Sequence, residues 1–260
     1  MTARRVVRTA MPKYPYLCSC MIRKVLIAAS LLLSLLSISA RAQVADVIAG
    51  CNFDSGAIEP VAVLQAYGAD PFGDTYARAN FSWKLDPLSL DFAHLEIART
   101  LVFWKGTIFE DIGLHAEFNG FMNMGNSNWL FGLDYTLPMK DLVKISVLYK
   151  TFNGGAVSTV PVQLSVLWDL KDIFGLSGLE FRGDFKAWGE KTTYWFNEPE
   201  PLTPGPAYFK IKTTPQLWYS VGQFFGWNGL SVGGEMELGY NYLGSSGLSV
   251  SPMAAVRFSF

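Results

Sequence analysis

From Gly56 onward the sequence alternates apolar and polar residues with a period of two, in segments of about ten residues divided by turn residues. Successive side chains of a strand point to opposite faces, so such a segment predicts a strand that is apolar on one side only. No stretch carries helical periodicity of useful length. In the clearest segment Leu179, Phe181, Gly183, Phe185 and Ala187 take one face, and Glu180, Arg182, Asp184 and Lys186 the other. The last segment puts Leu248, Val250, Pro252, Ala254, Val256, Phe258 and Phe260 opposite Ser249, Ser251, Met253, Ala255, Arg257 and Ser259. Leu230 to Tyr242 and Ile112 to Asn123 repeat the pattern, the first with Tyr242 on its apolar face.

About twelve such segments follow one another, near residues 44–53 (the weakest), 58–68, 74–85, 91–104, 111–123, 128–138, 142–152, 159–169, 178–190, 207–221, 229–242 and 248–260. An even count of short antiparallel strands predicts an all-β chain: a transmembrane up-and-down β-barrel closed by its C-terminal strand. Such barrels join strands by short periplasmic turns and longer external loops. The longest break, Lys191 to Pro206 with four prolines, follows the ninth segment and falls outside. The connections near 105–110, 171–177 and 222–228 are long for inner turns.

A secreted sandwich or lipocalin-like barrel would alternate too, with its apolar face inward. Two features favour the membrane. Charges of both signs sit in mid-strand on the polar faces, and Trp83, Phe103, Trp129, Trp168, Tyr219, Tyr240 and Phe258 lie near strand ends on the apolar faces, as an interfacial aromatic girdle requires. Half of the residues are apolar and only 17% charged, which suits a chain surrounded by lipid.

Residues 1–42 read as a leader. Val25 to Ile38 is too short to span a bilayer as a helix but fits a signal-peptide core, preceded by Arg23 and Lys24 and followed by Ala40-Arg41-Ala42. The signal peptide is placed at 21–42, with cleavage before Gln43 and residues 1–20 as an upstream extension. Residues 43–260 form the barrel. Without the leader's seven Lys/Arg the chain keeps 14 basic and 22 acidic residues, a net charge of −8, which argues against nucleic acid as a partner. Cys18 and Cys20 fall in the leader, so Cys51 has no partner for a disulfide. Asp46 and the distance from the apolar core set Ile48-Ala49-Gly50-Cys51 apart from a lipoprotein processing site.

No nucleophile, base and orienting group stand in recognisable order, and His94 and His115 lack companions at metal-ligand spacing. No enzyme, metal or cofactor is expected. The polar faces instead define a lumen set: Glu96, Arg99, His115, Glu117, Glu180, Arg182, Asp184, Lys186, Lys210, Lys212, Glu235, Glu237 and Arg257, with Lys144 and Lys150. Mixed charges of this kind either tune a pore or fill a small barrel with salt bridges. Tyr208, Trp218, Trp188 and Tyr76 either stack on a flat solute or pack the interior. Arg99 breaks the alternation, since Leu95 and Ile97 share its parity; a β-bulge turning it inward beside Glu96, or a place at the membrane interface, resolves the conflict.

Leu95-Glu96-Ile97-Ala98-Arg99, Phe103-Trp104-Lys105-Gly106, Glu117-Phe118-Asn119-Gly120, Trp129 to Tyr135 and Pro215-Gln216-Leu217-Trp218 carry a family resemblance. Over most of the chain after the leader, the sequence resembles a DUF5020-type outer-membrane protein of the nucleoside-specific channel-forming (Tsx-like) group. The resemblance implies a twelve-stranded barrel and a narrow channel that passes nucleosides.

The expected function is therefore passive uptake of small solutes across the bacterial outer membrane, nucleosides by family analogy. The expected partners are outer-membrane lipid, those solutes, and the barrel-assembly machinery acting on the C-terminal strand. The alternatives are a lipid-acting outer-membrane enzyme, or a structural or adhesive barrel with a narrow or plugged lumen and the Pro-rich loop as its contact surface.

Overall fold

The computed structural model describes residues 42–54, 57–85, 88–122, 127–151, 157–191, 209–242 and 247–260. The leader through Arg41, the Pro-rich loop and Tyr208 lie outside them. The strands are β1 (Ala42–Asp54), β2 (Ala57–Asp70), β3 (Gly73–Leu85), β4 (Leu88–Leu101), β5 (Ile112–Met122), β6 (Asn128–Thr136), β7 (Leu142–Lys150), β8 (Val157–Lys171), β9 (Leu179–Lys191), β10 (Lys210–Thr213), β11 (Gln216–Ser220), β12 (Leu230–Tyr240) and β13 (Leu248–Ser259). Each pairs antiparallel with its neighbours. β10 and β11 both lie between β9 and β12, so they are two halves of one stave and the barrel has twelve.

The break between them has a local cause. Pro215 has no N–H to give to a ladder, and the chain there is held by Thr214 N donating to Asp184 O (2.9 Å) and Met236 N donating to Pro215 O (2.9 Å). On the neighbouring stave Gly183 faces this kink, and a Cβ at Gly183 would strike the Thr214 carbonyl and Pro215. β13 closes the barrel on β1 from Asp46↔Ser259 to Asn52↔Met253, and Phe260 N donates to Ala45 O (2.9 Å). Every described strand thereby has a paired neighbour on both sides, the condition for lying in lipid without a sheet edge. Among the described residues no helix is long and apolar enough to cross a membrane, so the crossing elements are strands.

Burial alternates as the sequence does, with a sign fixed by the barrel. In β6 and β7 the outward residues Trp129, Phe131, Leu133, Tyr135, Ile145, Val147 and Tyr149 are exposed apolar groups, while Asp134, Lys144, Ser146 and Lys150 are buried. A fold with polar residues inside and apolar residues outside fits a barrel surrounded by lipid. Trp83, Trp129 and Tyr240 lie near the rim opposite the termini, and Trp168, Tyr219 and Phe258 near the terminal rim. Phe103 lies just past the end of β4 and is 60% exposed.

Three local expectations need correction. The bulge in β4 lies at Asp91, between the pairs Ser82↔Phe92 and Trp83↔Leu90, and no register shift occurs beside Arg99. Arg99 therefore keeps its outward parity and leaves the lumen set. It sits at the terminal rim, donating to Thr75 Oγ1 (2.8 Å) and Asp70 Oδ1 (2.9 Å), where an arginine costs little. Tyr242 turns inward because Asn241 adopts φ 54°, a left-handed conformation that asparagine tolerates and that shifts the parity by one residue.

Candidate functional site: the barrel interior

Strand parity brings the remaining described members of the lumen set to one interior: Glu96, His115, Glu117, Glu180, Arg182, Asp184, Lys186, Lys210, Lys212, Trp218, Glu235, Glu237 and Arg257. The charged groups do not line an open tube; they pair, and several pairs cross it. Arg78 of β3 meets Glu235 of β12 (2.6 Å), and Lys186 of β9 meets Glu96 of β4 (2.8 Å) and Glu117 of β5 (3.4 Å). Lys144 of β7 reaches Asp74 of β3 (2.7 Å), and Arg182 of β9 reaches Asp46 of β1 (2.7 Å).

These contacts join into three groups along the barrel. Near the terminal rim Arg182 also meets Glu180 (3.1 Å), which is paired with Arg257, while Ser259 Oγ donates to Asp46 (2.6 Å). In a second group His115 lies between Asp134 (2.9 Å) and Glu117 (3.2 Å), Asn119 donates to Glu117 (2.6 Å), and Thr100 Oγ1 donates to Asp134 (2.5 Å). Near the other rim Lys210 pairs with Glu190 (2.8 Å) and Lys212 with Glu237 (3.4 Å). Buried ions need such partners, because a lone charge out of water costs several kcal/mol. Among the described residues no group of three or more His, Cys, Asp or Glu is placed to hold a metal.

The interior aromatics pack. Trp218 is fully buried against Ile48, Val61, Val63 and Met253, an apolar cluster inside the lumen on β1, β2, β11 and β13. Its indole N–H donates to Gln216 (2.9 Å), and Arg257 lies 5.0 Å over its ring. Trp188 donates to Glu190 (2.7 Å) and carries Lys150 on its face (3.8 Å) and Tyr242 at its edge (6.0 Å). Neither tryptophan offers a free face to a solute. The sequence did not mark this cluster, since Val47-Ile48 and Val61 to Leu64 are apolar on both parities; Ile48, Val61 and Val63 become interior residues only through closure onto Trp218.

Free space among the described residues includes two cavities. A cavity of about 280 Å³ lies toward the terminal rim, bounded by Asp46, Gln65, Tyr67, Tyr76, Arg78, Asp169, Arg182 and Asp184 and reaching Lys140 and Asp141 in the β6–β7 turn. A second, of about 60 Å³, lies further in among Asn80, His94, Glu96, Glu117 and Lys186. Tyr76, expected in the lumen, borders both, and Tyr67, its cross-strand partner, was not singled out from sequence.

The fold is similar to that of solved porins. The NanC porin superposes with a TM-score of 0.50 at 10% identity, covering 82% of this chain and 98% of the porin. The KdgM porin, solved in complex with disordered oligogalacturonate, aligns with a TM-score of 0.44 at 12% identity, covering 84% of this chain and 99% of that one. No curated protein matches the sequence. Residues 58–260, β2 through the closing strand β13, match the family described as "Domain of unknown function (DUF5020)", and the chain belongs to that family.

Proposed function

We propose that this barrel is an outer-membrane channel for passive uptake of small polar solutes. The observation that carries the reading is a polar, ion-paired interior running the length of the strands inside an apolar outer surface. A sealed structural barrel would be as stable with an apolar filling, since replacing buried ion pairs by packed apolar side chains is often neutral or stabilising. β9 ends and β10 begins at the rim opposite Ala42 and Phe260, and the long Pro-rich stretch of sequence between those two strands supports placing that rim outside and the termini in the periplasm.

The cross-lumen pairs Arg78–Glu235 and Lys186–Glu96 set the bore, so the solutes are small. Nucleosides are the finer proposal. They rest on the family resemblance and on Tyr67 and Tyr76 beside the larger cavity. Export by the signal peptide at 21–42, and handling of β13 by the barrel-assembly machinery, complete the reading. A lipid-acting enzyme is disfavoured because His94 and His115 both face the interior.

The second reading, a plugged barrel, is favoured by the same ion pairs that cross the lumen. One experiment decides: the refolded protein is reconstituted in planar bilayers and liposomes. The channel reading expects single-channel conductance and faster entry of nucleosides than of sugars of similar size. Equal entry removes the nucleoside preference, and absent conductance leaves the plugged barrel.

A further inference from the structure

We propose that the turns at the terminal rim form a ring of anchors seated in the headgroup layer of a zwitterionic phospholipid leaflet. The connections near 105–110, 171–177 and 222–228 are long for inner turns, and each carries apolar side chains that the protein leaves uncovered: Ile108 and Phe109, Phe174 and Leu176, Phe225 and Trp227. Ile108 is 90% and Phe174 92% exposed, so neither packs on its own barrel. The two short turns repeat the feature once each, at Phe72 and Met139. All five connections between described strands at this rim thus present an apolar tip. Those at the other rim draw largely on Gly, Ser and Asn, as in Asn153-Gly154-Gly155 and Gly244-Ser245-Ser246. Phe174 also holds φ 56° and ψ 19°, a left-handed conformation that is an outlier for so bulky a residue. Glycine or asparagine fits such a turn without strain, so a bare phenylalanine there has its use outside the chain.

The placement of the tips selects lipid over a protein partner. They continue the apolar outer wall: the Phe224 ring lies 6.3 Å from that of Tyr219 on β11, whose hydroxyl accepts from Gln223 (3.4 Å), and the Phe260 ring lies 4.8 Å from that of Phe258 on β13. They are also spread round the whole mouth, between β2 and β3, β4 and β5, β6 and β7, β8 and β9, and β11 and β12. A bilayer surrounds a barrel on every side, whereas a docked protein needs one contiguous patch. Charge narrows the lipid. Lys105, Lys140 and Lys171 stand in these turns against Glu110, Asp111, Asp141 and Asp172, so the ring does not favour an anionic headgroup, and apolar burial carries the contact. Aromatic and aliphatic tips interleaved with lysine and amide side chains suit the membrane–water interface, where one end of the contact is apolar and the other wet. In the proposed orientation this is the periplasmic leaflet. The inference needs the barrel in a bilayer but not a conducting lumen.

The full barrel is reconstituted in phosphatidylcholine vesicles whose acyl chains carry bromine just below the headgroups, where it quenches nearby tryptophan. Trp227 is the native reporter, read as the difference between the wild type and Trp227→Phe, and Phe174→Trp adds a second in the β8–β9 turn. Both components are expected to lose emission in bromolipid relative to plain phosphatidylcholine, to shift to the blue, and to resist quenching by iodide present on both faces. Adding phosphatidylglycerol should leave the loss unchanged. Should Phe174→Trp fail to fold, Trp227 still decides. Emission that iodide quenches freely and bromolipid leaves untouched puts the turns in water and overturns the proposal, leaving the ring to a protein partner. A loss that appears only with anionic lipid overturns the zwitterionic assignment. Conductance is read separately: quenched turns on a sealed barrel keep the anchors and remove the channel, and a conducting barrel with its turns in water does the reverse.

Discussion

Arg78 of β3 and Glu235 of β12 meet across the barrel at 2.6 Å, although 157 residues separate them in sequence. Neither strand neighbours the other; β2, β1 and β13 lie between them. Gln216 adds a 2.5 Å bond to the same carboxylate and Asn80 accepts from Arg78 Nε at 2.8 Å, so the pair is held from both walls. Its energetic meaning follows from its burial.

Removing one partner strands a charge. Glu235→Leu leaves the Arg78 guanidinium in the interior without its carboxylate, and the expected loss is about 3–5 kcal/mol. The double variant Arg78→Met/Glu235→Leu removes both ions and is expected to recover most of that loss. Equilibrium unfolding in urea, followed by the shift of the folded band in gels, measures all three proteins. Equal loss in the single and double variants would mean that packing, rather than charge compensation, sets the cost.

Lys186 makes a different prediction because it faces Glu96, Glu117 and Asp184 together, at 2.8, 3.4 and 3.9 Å. Lys186→Met leaves this part of the lumen with an excess of acid. If ions pass here, the reversal potential under a salt gradient should move toward cation preference. An unchanged potential in a conducting variant would place the ion path elsewhere.

Two arginines of the same stretch of sequence logic should behave unlike each other. Arg99 pairs with Asp70 at the terminal rim, where both side chains are about a third exposed, and surface pairs contribute about 0–1 kcal/mol. Arg182 is buried on Asp46, whose side chain is 2% exposed. Arg99→Leu is therefore expected to change unfolding by less than about 1 kcal/mol and Arg182→Leu by about 3–5 kcal/mol. Similar losses from both would return Arg99 to the interior.

The difference between these arginines shows where sequence reading stops. Strand count and the polar face of β9 were legible because parity needs only spacing along one strand. Glu180, Arg182, Asp184 and Lys186 alternate without interruption, and all four face inward. Parity failed where one residue's conformation reset it, as at Asn241 before Tyr242, and spacing did not place the β4 bulge, which lies at Asp91 rather than beside Arg99. It also left the partners of each lumen charge open. Arg78 finds Glu235, and Lys186 finds Glu96, through the stagger of twelve staves around a closed barrel, a relationship that no local pattern contains.

Val47 and Ile48 test the same point at adjacent positions that are both apolar. Val47 is 42% exposed on the outer surface, while Ile48 is fully buried beside Val61, Val63, Trp218 and Met253. Truncating Ile48 to alanine opens a cavity in a packed cluster, and the expected cost is about 2–5 kcal/mol. Val47→Ala removes methyl groups that face lipid, where a lipid chain fills the space, so its cost should be well below that. The comparison holds hydrophobic character nearly constant and varies only the side of the wall. If Val47→Ala proves the more damaging in urea unfolding, β1 is displaced by one residue from its register with β13, and the lumen cluster around Trp218 loses its first member.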